Sequence, residues 1–152
     1  MPQIPLTLDP NLKLFATSVT FFKNGIFKPT ICVVDSGSEV TSITEELMTD
    51  LKITDADLSE KIRVAGVTGI GYNRTVNELD IILPINTKVV KVKNVAILTS
   101  PRIEKTVKKQ GMKIGIDVIR AAVPNLLGLD FLDALKGTLH ISYNSNNSYI
   151  EW

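Results

Sequence analysis

Ile31-Cys32-Val33-Val34-Asp35-Ser36-Gly37-Ser38 ends an apolar run on a carboxylate and then turns the chain on Ser-Gly. A strand of that composition is normally buried, and an ionised carboxylate removed from water is costly unless hydrogen-bonded or paired. Asp35 is therefore either a turn aspartate satisfied inside its own loop or a group held in place for chemistry. Gly37 allows close backbone approach, so its N–H can donate to the Asp35 carboxylate. Ser36 and Ser38 add hydroxyls that both donate and accept, and a Ser38 hydroxyl donating to Asp35 would stabilise the ionised form. A second apolar run, Asn125-Leu126-Leu127-Gly128-Leu129-Asp130-Phe131-Leu132, supplies dry walls through Leu126, Leu127 and Gly128. A carboxylate fixed in such surroundings suits proton transfer with a bound water.

Peptide hydrolysis needs a base for the water and an acid for the carbonyl oxygen or leaving nitrogen, and one carboxylate cannot serve as both at once. The sequence offers no second Asp-Ser/Thr-Gly, no histidine in a nucleophile motif and no cluster with metal-ligand spacing. Neither a metal nor another cofactor is expected. A two-fold dimer supplies the missing group by bringing the same residue from both copies together.

The elements that must hold Asp35 read mainly as strands. Leu12 to Phe22 and Ile26 to Val34 flank Asn24-Gly25, the signature of a type I′ hairpin, whose two central residues need positive φ. Ser42-Ile43-Thr44-Glu45 has capping-box spacing ahead of a short helix from Glu45 to Leu51. Ile62 to Val67 and Tyr72 to Leu83 are strands around a glycine-rich tip, Thr68-Gly69-Ile70-Gly71. Lys88 to Leu98 alternates Val90, Val92, Val95 and Ile97 with polar residues and changes phase once. Pro101 to Lys113 is basic, part of a surface excursion over about residues 99–122. Phe131 to Lys136 predicts a second short helix, stopped by Gly137 and capped by Asp130. Thr138 to Tyr143 and Tyr149 to Trp152 predict a closing hairpin, with His140 on its solvent face. The expectation is a single domain over residues 1–152: an all-β, closed or partly open barrel with a hairpin flap and one or two short helices.

Composition narrows the function. The chain has 152 residues, 44% apolar and 22% charged, with net charge +1, so no bulk electrostatic attraction to nucleic acid or anionic membrane arises. No run reaches the roughly 18 apolar residues of a membrane span. The start, Met1 to Leu6, lacks the pattern of a signal peptide, and the lone Cys32 reads as a small core residue. A soluble cytoplasmic protein is expected, with the sequons at Asn73 and Asn146 as chance matches. Gly66, Gly69 and Gly71 lack the Lys-Ser/Thr and following helix of a phosphate loop.

Three segments together resemble the retropepsin-like aspartic proteases, single-lobed homodimeric relatives of pepsin. They are Val33 to Ser38 with Thr41 and Ile43, the hairpin Val64 to Tyr72, and Leu126 to Leu132; the likeness in pattern covers about residues 12 to 143. The resemblance implies that Asp35 from each copy forms a catalytic pair and that Ser36 hydrogen-bonds across the two-fold axis. It implies that Gly37 contacts the substrate backbone, and that Gly66, Val67, Thr68, Gly69, Ile70 and Gly71 close over an extended peptide. Leu126, Leu127 and Gly128 would pack beneath the active-site loop, and Tyr149 to Trp152 would serve as an interface strand. Two departures stand out. Leu129 occupies the place where retroviral members commonly carry Arg, and Glu39 that of its usual Asp partner. The expected function is an endopeptidase acting on peptide or protein substrates as a homodimer. The alternative is a peptide-binding or dimerisation module of the same fold with negligible catalysis.

Overall fold

Alternation of buried and exposed side chains organises the chain. The computed structural model describes residues 1–9, 13–59, 62–66, 69–98, 124–144 and 146–152. Strand β1 is Gln3–Leu8, β2 is Phe15–Lys23 and β3 is Ile26–Val34. On β2, Phe15, Thr17, Val19 and Phe21 point inward. Asn24 (φ 53°) and Gly25 (φ 77°) both take the left-handed conformation, so β2 and β3 join in the tight turn that their spacing demands. Phe22 and Phe27 meet across it with ring centroids 4.5 Å apart.

The remaining elements are β4 (Ser42–Thr44), α1 (Glu45–Asp50), a 3-10 turn (Asp55–Asp57), β5 (Ile62–Gly66), β6 (Gly69–Asn73), β7 (Thr75–Ile82) and β8 (Val89–Leu98). They are followed by β9 (Asn125–Leu127), α2 (Leu129–Leu135), β10 (Thr138–His140) and β11 (Ser148–Glu151). One nine-stranded sheet runs β10-β11-β1-β2-β3-β9-β4-β8-β7, and β7 returns to pair with β2. The six strands from β2 to β7 in that order therefore close into a barrel, which removes their exposed edges. Its interior is filled by Phe21, Val19, Ile43, Val76, Leu79, Ile81, Leu127 and neighbours, and α2 adds Phe131 from one side. Strands β5 and β6 form a separate two-stranded hairpin. The fold is all-β with two short α-helices. No helix among the described residues is long and apolar enough to cross a membrane.

Several expectations change. Strand β1, Gln3–Leu8, lies ahead of the first strand that the sequence predicts, and it contains a proline. Pro5 nevertheless pairs opposite Tyr149, and its carbonyl accepts the Thr17 hydroxyl at 3.2 Å. Strand β2 starts at Phe15, since Lys13 turns with φ 56° and hydrogen-bonds back to Asp9. Ser42 does not cap α1. It is held in β4 opposite Ala96 and Leu126, and Thr44 takes the cap by accepting the Leu47 N–H. Helix α2 begins at Leu129, and its left-handed stop is Lys136 (φ 57°). Gly137 serves packing: an added Cβ would lie 3.2 Å from the Ile150 side chain.

Nor is β3 buried on both faces by the described residues, because Phe27 and Ile31 are 63% and 73% exposed on its outer side. The phase change on β8 occurs at Asn94, which has φ 55°. His140 stacks on Tyr149 at 4.4 Å, with Nε2 3.7 Å from Glu151, rather than facing solvent freely. In β11, Tyr149, Ile150 and Glu151 pair with β1 on one edge and β10 on the other. An interface strand there has no free backbone edge to offer a second copy. The basic excursion at 99–122 lies outside the described residues.

Cys32 faces the core with no exposure, and burial pushes its thiol from 9.0 up to about 12. The folded thiol should resist a disulfide reagent at about pH 8 and react once denaturant is added. Because the folded value is the raised one, this group's contribution to stability is intact below pH 9.0 and is lost as pH climbs towards about 12. Rapid labelling of the native protein would contradict this placement.

Candidate active site

Strands β3 and β4 are not neighbours: β9 lies between them, parallel to β3 and antiparallel to β4. The loop 35–41 must therefore cross over the end of β9. Asp35 leaves β3 at that crossing, and its N–H donates to the Leu127 carbonyl at 3.0 Å. Its Oδ1 accepts the Gly37 N–H at 2.9 Å, and its carbonyl accepts the Ser38 N–H at 3.1 Å, closing a tight turn. Asp35 is half-buried while Ser36 and Gly37 are exposed, so a fixed carboxylate borders solvent. Ser38 is buried, and its hydroxyl donates to the Val40 carbonyl at 2.8 Å. That hydroxyl shapes the loop rather than donating to Asp35.

The segment after β9 is sewn to this loop. An added Cβ at Gly128 would lie 2.6 Å from the Val40 carbonyl carbon and oxygen and 2.9 Å from the Ser38 oxygen. Leu129 N–H donates to Ser38 O at 2.9 Å and Asp130 N–H to Glu39 O at 3.2 Å. Leu126 pairs with Val33, and Leu127, fully buried, with Val34.

Asp130 is not the N-cap of α2, a position that Gly128 holds. Its Oδ1 accepts from Thr41 N–H (2.8 Å), the Thr41 hydroxyl (2.7 Å) and Phe131 N–H (2.7 Å). Thr41 is wholly buried, and its Oγ1 in turn accepts the Gly128 N–H at 3.1 Å. From the sequence, Thr41 has no partner in view and Asp130 is expected to cap its own helix. The only hint of their meeting is that both flank apolar runs that have to converge.

The hairpin β5–β6 pairs Val64 with Gly71, Ala65 with Ile70 and Gly66 with Gly69; Val67 and Thr68, at its tip, lie outside the described residues. Its base is fixed. Asn73 Nδ2 donates to the Ile97 carbonyl at 2.9 Å, Ile97 N–H to Arg74 O at 3.0 Å, and Ser59 N–H to Thr75 O at 2.8 Å. Among the described residues no three His, Cys, Asp or Glu side chains converge as a metal ion would require.

No protein-family model matches the chain, and no curated sequence does. Among solved structures, the chain is similar to the crystal structure of a retropepsin-like aspartic protease from Rickettsia conorii. The TM-score is 0.57 at 14% identity, over 98% of this chain and 89% of that one. The fold is that of a retropepsin-like aspartic protease. In this retropepsin-like frame the crossing loop carries an Asp-Ser-Gly turn, which the barrel holds in place through Leu127, Gly128 and Leu129.

Gly128→Ala tests that seating. The clashing atoms are backbone and cannot swing aside, so a loss of about 1–3 kcal/mol is expected, read as a lower midpoint in thermal unfolding. An unchanged midpoint would mean that the loop does not rest on Gly128.

Proposed function

We propose that the chain is an aspartic endopeptidase that works as a homodimer, with Asp35 of each copy forming one catalytic pair. The single observation that carries this reading is the Asp35 carboxylate fixed at the loop crossing by Gly37 N–H, half-exposed, in a retropepsin-like fold. Each chain carries one Asp-Ser-Gly turn, so a second carboxylate of the same kind has to come from a second copy. Ser36 and Gly37 are exposed beside it, and Leu129, adjoining through Ser38, is 44% exposed, so the surface around Asp35 is open to a second copy.

Two carboxylates a few ångströms apart cannot both be ionised cheaply, so the pair shares one proton. The ionised member takes a proton from a water lying between the two, and that water attacks the scissile carbonyl. The protonated member donates to the carbonyl oxygen as the tetrahedral intermediate forms. The carboxyl that took the water's proton passes it to the leaving nitrogen as the C–N bond breaks. The other carboxylate takes a proton back from a hydroxyl of the intermediate, so the pair again shares one proton and no covalent enzyme intermediate forms. Gly37, exposed beside Asp35, meets the substrate backbone in this reading. The hairpin carrying Gly66, Gly69, Ile70 and Gly71 closes over an extended peptide, whose side chains alternate between pockets.

Asp35→Asn should leave the melting midpoint unchanged and reduce cleavage of an unfolded protein substrate below detection. Wild-type cleavage should be blocked by a peptide bearing a tetrahedral transition-state mimic. Specific activity should also rise with protein concentration in the range where sedimentation shows dimers forming. A correctly folded Asp35→Asn that still cuts would remove Asp35 from the chemistry. Tight binding of the mimic without any cleavage would instead favour the peptide-binding module.

A further inference from the structure

We propose that Asp130 is a positioning residue for the Asp35 loop, acting through Thr41; the proposal rests on the protease reading above. The carboxylate makes no contact with Asp35. Instead it gathers the far end of the loop, taking both the N–H and the hydroxyl of Thr41. Its third donor is Phe131 N–H, at the base of α2. Thr41 passes the restraint on: its hydroxyl accepts from Gly128 N–H, and its carbonyl accepts Ala96 N–H at 3.0 Å on β8. The near end of the loop is held by Asp35 N–H on Leu127 O. Both ends of the crossing are thus clamped to consecutive residues of one short segment, 127–131.

Charge-assisted bonds to a carboxylate are stronger than neutral ones, and a buried donor left without its partner is expensive. Removing the carboxylate strands the Thr41 N–H and frees its hydroxyl to turn elsewhere. The loop then loses the side-chain restraint at its far end, where Thr41 is held. A catalytic group displaced by about 1 Å can lose some 10²-fold in rate without losing its substrate. The effect belongs in kcat, because neither Asp130 nor Thr41 lies on the β5–β6 hairpin that covers the peptide in this reading.

Asp130→Ala, Asp130→Asn, Thr41→Val and Thr41→Ser are compared by steady-state kinetics, thermal unfolding and amide hydrogen exchange at Gly37 and Ser38. Asp130→Ala and Thr41→Val should lower kcat by about 10- to 100-fold with KM within about threefold, and speed exchange at those two amides. Asp130→Asn, which keeps a neutral acceptor, should lose less. Thr41→Ser, which keeps the hydroxyl, should recover most of the wild-type rate. Should Asp130→Ala fail to fold, Thr41→Val against Thr41→Ser decides. Folded Asp130→Ala or Thr41→Val with wild-type kcat and wild-type exchange would overturn the proposal, as would Thr41→Ser no better than Thr41→Val. Absence of cleavage by the wild type defeats the protease reading, and the exchange rates then decide alone whether Asp130 holds the loop.

Discussion

The structure depends on one close approach: the backbone of loop 35–41 lying directly on Gly128. Strand β9 separates β3 from β4, so the chain between those strands must climb over the end of β9. Any side chain at that end would collide with the Val40 carbonyl at 2.6 Å. With hydrogen there instead, the two backbones come near enough for Ser38 and Glu39 carbonyls to accept the first N–H groups of α2. Those N–H groups have no partner inside a helix, so the loop completes α2 as much as α2 supports the loop. The same crossing leaves Asp35 at the mouth of the barrel with its own N–H already engaged on Leu127.

Rigidity and freedom are distributed accordingly. The loop's buried groups are met by backbone partners or by Asp130 and Thr41, while the barrel below is closed and densely apolar. Among the described residues the β5–β6 hairpin belongs to no larger sheet, and it is fastened at its base by Asn73, Arg74 and Ser59. A hairpin with few backbone partners along its length and firm anchors at its root opens locally more readily than the barrel does.

Much of this was legible from residue order. The Asn24-Gly25 turn, the run ending at Asp35, the glycine-rich hairpin and the alternation around Asn94 follow from rules that act over a few residues. Contacts joining distant parts of the chain were not legible. Strand β1 contains Pro5, whose place in the ladder depends on Tyr149 and Thr17 elsewhere in the chain. Ser42 looked like a cap until pairing with Ala96 and Leu126 drew it into β4. Asp130 has the local look of a helix cap, and only the convergence of two apolar runs brings it Thr41 as a donor besides Phe131 N–H. Ser38 gave its hydroxyl to Val40, two residues on, a choice set by loop shape rather than residue type.

The parallel pairing of β3 with β9 has a consequence for how the molecule comes into being. Cys32, Val33 and Val34 leave the ribosome 93 residues ahead of their neighbours Asn125, Leu126 and Leu127 (125 − 32 = 93). Contacts so far apart along a chain form late and slowly. A growing polypeptide therefore displays Asp35 well before the segment that it rests on, Leu127 to Asp130, has been made.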